Sequence, residues 1–335
     1  MVPVFFVLAA VFTFSANLLA QEPFQFPTAN HYLYERGDEL KFFAPTEQDK
    51  PWTSGSFGCV RDNGQRLHEG LDIRHLQTDR RGEPTDQVMA TADGTVVYIS
   101  TRPSLSNYGN YIVIRHVIQG IEIYSLYAHL KAPRPGLVVG EAVKAGEIIA
   151  TMGRTSNAET IEQWRAHVHF ELNVLVNDNF ASWFPTANPK ERNDHGEWNG
   201  QNLNGLDVSE ILLQEHNPKG FNLLDFLRGQ TELCRVLVRA TDFPYLHRYP
   251  MLILPNPVAK REGVAGYEVA LNYNGVAFAL MPRAASEIKS AAKYQLLSVN
   301  EANEMANPCR HLVVKHGNHW ELGNEGLRDL EMLAY

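Results

Sequence analysis

Between Trp52 and Pro185 the apolar positions come in short runs broken by Gly and Asn, with little helical period. Ala92-Asp93-Gly94 is a turn signal, and Thr95–Ile99 after it is β-branched and aromatic, as strands prefer. Tyr108-Gly109-Asn110 turns into the run Tyr111–His116, and Gln119-Gly120 then leads into Ile121–Leu130, so the two runs predict a hairpin. Val138 to Ala150 reads as two brief strands around glycine turns, and Val168 to Val176 as the last strand of this stretch. Strands this short and evenly spaced predict an all-β barrel or sandwich.

From Val208 the pattern changes. Ser209–Glu215, Leu223–Leu227 and Ala284–Lys293 predict helices. Arg235–Arg239, Met251–Leu254, Gly266–Asn272, Val276–Leu280 and His311–Lys315 predict strands, with Asn272-Tyr273-Asn274-Gly275 as a hairpin turn. Asn177 to Asn204, dense in Asn, Asp, Gly and Pro, reads as a long ordered loop or a boundary. Its Phe180, Trp183, Phe184 and Trp198 either cover a groove or, more commonly, pack down on the strands. Residues 21–50 alternate short aromatic pieces with polar ones and form an extension expected to lie on the next domain, with Pro45 to Pro51 as linker.

Met1 to Ala20 carries no charged side chain, and Gln21-Glu22 ends the apolar run abruptly. This reads as a signal peptide cleaved near Ala20, with its apolar centre from Val4 to Phe14. A retained membrane anchor is the alternative, weakened by polar Thr13, Ser15 and Asn17. Either way the rest of the chain is expected to be exported, to the periplasm or to the cell-wall exterior, with no span after cleavage. The expected division is 1–20 signal peptide, 21–51 extension and linker, 52–185 and 208–335 domains, with 186–207 joining them.

Length and composition narrow the function classes. The 335 residues are enough for two cores. A net charge of −8 offers no broad basic surface, so nucleic acid is not an expected partner. Three cysteines fit an exported chain that does not rely on a disulfide framework. Cys234 and Cys309 could pair, leaving Cys59 odd; three separate thiols fit the sequence equally well.

The chemistry concentrates in three places. Arg66–Arg74 offers His68 and Asp72, and Gly70 followed by Leu71-Asp72-Ile73 predicts a turn into a strand. In Ala166–Glu171, strand alternation puts His167 and His169 on one face and Val168 and Phe170 on the core side. An isolated His-x-His is more often a hydrogen-bonded structural pair. Glu171 shares that face and can accept from one ring. His129 ends the alternating run Ile121, Ile123, Ser125, Tyr127 at the hairpin rim. His68, Asp72 and His169 with one position left open describe a catalytic zinc site holding one ion, and cysteine count and spacing exclude a cysteine-rich one. His129 and His167 beside it suit proton transfer near neutral pH. No Ser-His-Asp motif, nucleophile elbow, P-loop or dinucleotide fingerprint competes. His316 and His319 fit a solvated turn better than a minor metal site.

Phe57-Gly58, His68-Glu-Gly-Leu-Asp72, Ala92-Asp-Gly-Thr-Val96, Gly109-Asn-Tyr-Ile-Val-Ile-Arg-His116, Tyr127-Ala-His-Leu130, Val143-Lys-Ala-Gly146, Ile149-Ala-Thr-Met-Gly153 and His167-Val-His-Phe-Glu171 follow one another in an order that resembles the lysostaphin/LytM-type zinc metallopeptidases. The resemblance covers roughly residues 52–185. It implies a mainly β fold, a LytM-type β-sheet or barrel-like peptidase domain, here followed by a smaller α+β C-terminal domain that the resemblance does not reach. It implies metal-assisted hydrolysis of peptidoglycan stem or bridge peptides, with His68, Asp72 and His169 as zinc ligands and His129 and His167 as catalytic histidines, His129 the preferred base. Members that have lost ligands act as non-enzymatic activators of other cell-wall hydrolases; here all five positions are filled, which makes that reading the alternative. Cys59-Val60 lengthens the turn after Phe57-Gly58 relative to the family pattern.

Overall fold

The structure, a computed structural model, describes residues 23–46, 50–217 and 220–335. The expected signal peptide, 1–20, lies outside these residues. The short runs of the middle stretch fold as strands, in chain order β1 (Gly58–Arg61), β2 (Arg66–His68), β3 (Leu71–Arg74), β4 (Gln87–Met89), β5 (Gly94–Ser100), β6 (Tyr111–Ile118), β7 (Ile121–Ala128), β8 (Leu130–Pro133), β9 (Ala142–Val143), β10 (Ile148–Met152), β11 (His167–Leu175) and β12 (Leu203–Gly205). β12-β11-β7-β6-β5-β9 make one antiparallel sheet, with β3 also paired to β11. β4-β10-β8 and β1-β2 form two smaller sheets. The expected hairpin is β6–β7, in register from Ile112↔Tyr127 to Ile118↔Ile121.

β11 is buried at every position. Val168, Phe170, Leu172 and Val174 enter the main apolar core with Leu71, Ile73, Ile112, Ile114 and Tyr127. Tyr111, Val113, Tyr124, Leu126 and Ala128 build a smaller cluster with Leu175 and Leu203. His167, His169, Glu171 and Asn173 are therefore enclosed rather than solvated. The extension seals the other side of β3: Phe24, Phe26, Phe42 and Phe43 are buried, Phe43 bridges to Ile73, and the Ala44 N–H donates to the Asp72 carbonyl at 2.8 Å. Burying one such phenylalanine is worth about 1.5–3 kcal/mol, and pairing also satisfies the outer edge of β3.

The stretch expected to be a loop contains a helix, Phe180–Ala187. Phe180, Trp183 and Phe184 repeat at the i, i+3, i+4 spacing and bury one face; Pro185 inside the helix masks this pattern in the sequence. These three aromatics pack down and cover no groove.

The C-terminal part holds β13 (Cys234–Val238), β14 (Gly266–Leu271), β15 (Ala277–Arg283) and β16 (Tyr294–Val299), in the order β15-β14-β13-β16, and a hairpin of β17 (Val313–His316) and β18 (His319–Leu322). Helices Val208–Glu215, Leu223–Arg228 and Asn324–Leu333 accompany them. The fold is mainly β, with a smaller α+β C-terminal part. Two local expectations fail. Met251–Leu254 is a 3₁₀ turn, Pro250–Leu252, started by proline, with only Ile253 bridging to Leu280. Ala284–Lys293 is helical only as a 3₁₀ turn at Ala285–Glu287, because this polar stretch has little apolar face to bury. The strand β16 that follows was not expected.

The cysteine pairing differs too. Cys59 of β1 is joined to Cys309, while Cys234 is a buried free thiol that burial pushes up to about 12. The turn Pro308–Arg310 packs against β2, so Cys309 meets a strand 250 residues earlier rather than its nearer neighbour in sequence. No helix among the described residues is long and apolar enough to cross a membrane.

Candidate metal centre

Gly70 lets β2 turn into β3 against β11. A Cβ there would lie 2.3 Å from the Phe170 carbonyl oxygen and 2.8 Å from Glu171 Cγ, so only glycine fits this approach. The register that follows sets Asp72 opposite His169 and Leu71 opposite Phe170. His68 arrives on the end of β2. His68 Nε2, Asp72 Oδ1 and His169 Nδ1 then form a nearly equilateral triangle with edges of 3.1, 3.0 and 3.1 Å. Donors placed tetrahedrally at ~2.0–2.1 Å from one zinc ion are roughly 3.3 Å apart, so the triangle is the right size for a single small cation. This is the one His/Cys/Asp/Glu group of that kind among the described residues.

Outward contacts orient each donor. His68 Nδ1 lies 2.7 Å from the Ser56 carbonyl oxygen and donates to it, leaving the Nε2 lone pair facing the cluster. His169 Nε2 lies 2.7 Å from Glu171 Oε1, and Glu171 also accepts from Tyr108 (2.8 Å) and from Asn173 (2.9 Å). Asp72 Oδ2 faces Arg61 at 2.5 Å and Arg165 at 3.4 Å.

The protonation pattern follows from burial and charge. Burial pushes His68 down to about 4. Burial also pulls at His169, but hydrogen bonds to Asp72 and Glu171 outweigh it and hold the ring at about 10. Asp72 is held well below the usual carboxylate range, because His167, Arg61 and His68 together overcome its burial. His169 Nδ1 lies 3.1 Å from Asp72 Oδ1, and a divalent ion bound there would take the place of the proton between them.

His129 and His167 stand beside it, with ring centroids 4.8 Å apart. His129 sits between β7 and β8 at φ +58°, a left-handed backbone uncommon for a side chain of this kind and held by its N–H bond to the Tyr108 carbonyl (2.8 Å). His129 Nδ1 donates to the Thr155 carbonyl at 2.8 Å and His167 Nδ1 to the Arg165 carbonyl at 2.6 Å. Both therefore turn an unprotonated Nε2 inward; that of His167 is buried, has no hydrogen-bond partner and lies 3.4 Å from Asp72 Oδ1. Burial pushes His129 down to about 4 and His167 well below its ordinary value, so both are neutral acceptors at pH 7. A cavity of about 1490 Å³ reaches His68, His129 and His169 and is bordered by Tyr108, Glu159 and Arg310.

The structure thus brings His68, Asp72, His169, His129 and His167 into one cluster and gives Glu171 the accepting role expected of it. Sequence reasoning missed Tyr108, Arg61 and Arg165, whose partners depend on tertiary placement. His316 and His319 sit on an exposed hairpin, where His319 pairs with Glu321.

Comparison with known proteins bears on the same stretch. The sequence profile of Peptidase family M23 matches residues 66–180. "Murein hydrolase activator NlpD" of Escherichia coli is 38% identical over 107 residues, 31% of this chain and 22% of that protein. "Lipoprotein NlpD" of Yersinia enterocolitica is 37% identical over 94 residues, 28% of this chain and 78% of that one. The catalytic domain of lysostaphin from Staphylococcus simulans is 25% identical, covering 36% of this chain and 75% of that one at a TM-score of 0.26. The match spans about a fifth of the length of the Escherichia coli relative.

Proposed function

Because this chain belongs to Peptidase family M23, we propose that it is an exported zinc endopeptidase that hydrolyses peptide cross-links of bacterial peptidoglycan. The observation that carries this reading is a complete set of five side chains. Three donors are spaced for one ion, and two further imidazoles each turn an unprotonated nitrogen inward. The donor chemistry fits zinc, which when bound supplies Lewis acidity, lowering the pKa of water to about 7 and polarising a carbonyl. His129, the more exposed of the two free histidines at 8% against 0%, takes the proton of the attacking water and returns it to the leaving amine. His167, enclosed beside Asp72 with its Nε2 unpartnered, is the second neutral acceptor facing the centre. Glu171, itself fixed by Tyr108 and Asn173, keeps the His169 ring turned with Nδ1 inward.

A second reading has its own support: relatives such as that of Escherichia coli are named murein hydrolase activators. On that reading the chain binds the wall or a partner hydrolase and cleaves nothing itself. Incubating the purified chain with isolated sacculi, with and without a chelator, separates the two. The endopeptidase releases peptide-cut fragments, loses this with chelator, regains it with zinc, and slows about 10²–10⁴-fold in His129→Ala. The activator releases nothing alone, increases release by an added wall hydrolase, and is indifferent to His129→Ala.

A further inference from the structure

Asp72 turns one oxygen to the candidate metal centre and the other to two guanidinium groups. Oδ2 lies 2.5 Å from Arg61 Nη2 and 3.4 Å from Arg165 Nη2, and the three side chains are only 6%, 6% and 1% exposed. Arg61 belongs to β1, beside Cys59. Arg165 belongs to the turn before β11 and reaches further: its Nε donates to the Pro45 carbonyl of the N-terminal extension at 3.0 Å, and its Nη1 pairs with Glu159 at 3.0 Å. One guanidinium thus joins the extension, the Glu159 loop and the acidic donor.

Burying this charge is costly unless its geometry is well satisfied. Tying the extension to the turn would need only the bond to Pro45, which a neutral donor could make. The remaining contact touches the carboxylate that faces His68 and His169. A carboxylate free to rotate about its terminal torsion can present either oxygen or both. With Oδ2 held, only Oδ1 is presented, the atom already 3.1 Å from both histidine nitrogens.

We propose that Arg165 is a positioning residue for the metal centre, its guanidinium joining that of Arg61 on Asp72 Oδ2 so that Oδ1 alone faces the ion. The inference rests on reading the His68–Asp72–His169 cluster as a metal site. Repulsion between Arg165 and a divalent cation acts in the opposite direction. Two features reduce it: the Asp72 carboxylate lies between them, and Glu159 neutralises the far side of the fork. Alignment therefore outweighs repulsion, and substitution weakens metal binding.

The test is zinc affinity of the metal-free full chain by competition with a chromophoric chelator, for wild type, Arg165→Met and Arg165→Lys. Thermal unfolding of the metal-free proteins runs alongside, so that affinity is measured where each is folded. Arg165→Met is expected to bind zinc about 10–100-fold more weakly, the usual effect of losing an outer partner of a ligand. Arg165→Lys keeps the charge but not the fork, and falls between the two. Zinc bound equally by wild type and Arg165→Met, or more tightly by the variant, overturns the inference alone, and a lower melting temperature with unchanged affinity does the same. Arg165→Lys matching wild type overturns the geometric part. No zinc on the wild type overturns the metal centre and the inference together.

Discussion

Two inner strands of the antiparallel sheets in this chain, β11 and β13, differ in what they bury. β13 of the C-terminal sheet encloses Cys234, Val236, Leu237 and Val238, with Arg235 reaching out to Glu232. β11 of the first sheet encloses His167, His169, Glu171 and Asn173 along one face. An apolar strand needs no partners for its side chains, whereas each buried polar group is costly unless another group answers it. Along β11 the answers are specific: Asp72 and Glu171 for His169, Tyr108 and Asn173 for Glu171. His167 Nε2 and Asn173 Oδ1 are left without a hydrogen-bond partner, and the former lies against the candidate centre. The polar interior holds the candidate centre; the apolar one is support.

The largest effect that sharpens this contrast is removal of a donor. His169→Ala is expected to abolish high-affinity zinc binding, a loss beyond the ~100-fold that outer partners produce, and a zinc titration of the folded variant reads it directly. In the other sheet, Leu280→Ala should cost about 2–5 kcal/mol of stability, since Leu280 is wholly buried. Denaturant unfolding measures that loss, while zinc affinity of the folded variant stays at the wild-type value. A changed zinc affinity would break the division between the sheets.

His116 probes the contrast from inside the first sheet. It is buried and polar, yet its partners are the Ser125 hydroxyl (2.7 Å) and the Asp93 carbonyl (3.0 Å), away from the centre. Burial pushes it from 6.5 down to about 4. A histidine depressed in the folded state stabilises above its unfolded pKa, and that contribution is lost as pH falls from about 6.5 towards 4. At ~1.36 kcal/mol per unit the loss is about 3 kcal/mol. Melting curves of the metal-free chain across that range should slope less steeply in His116→Gln, with zinc affinity at neutral pH unchanged. The smallest expected effect is at Glu171. Glu171→Gln keeps the shape but weakens the hold on His169, and chelator competition should report about 10–100-fold weaker zinc binding, or roughly 1.4–2.7 kcal/mol.

Local features were legible in the sequence. The β6–β7 hairpin follows from Gln119-Gly120 and two alternating runs, and the shared face of His167 and His169 follows from strand period alone. The meeting of His68 with His169, 101 residues apart, does not follow from period; the ordered motifs of the family resemblance carried it. Arg61 and Arg165 left no signal, because their roles arise when β1 and the turn before β11 converge on Asp72. The sequence leaves open whether Cys309 pairs with Cys234 or with nothing, and the bridge to Cys59 is neither, because distance along the chain says little about packing of the Pro308–Arg310 turn on β2. Ala284–Lys293 misled through alanine-rich composition, where helix propensity without a buried face did not suffice.

The most direct test of the central claim is anomalous scattering at the zinc edge from crystals grown with zinc. One strong peak per chain is expected, within ~2.0–2.2 Å of His68 Nε2, Asp72 Oδ1 and His169 Nδ1 together. A map with no peak at that triangle, or with zinc held elsewhere while the three side chains keep their mutual hydrogen bonds, would contradict it.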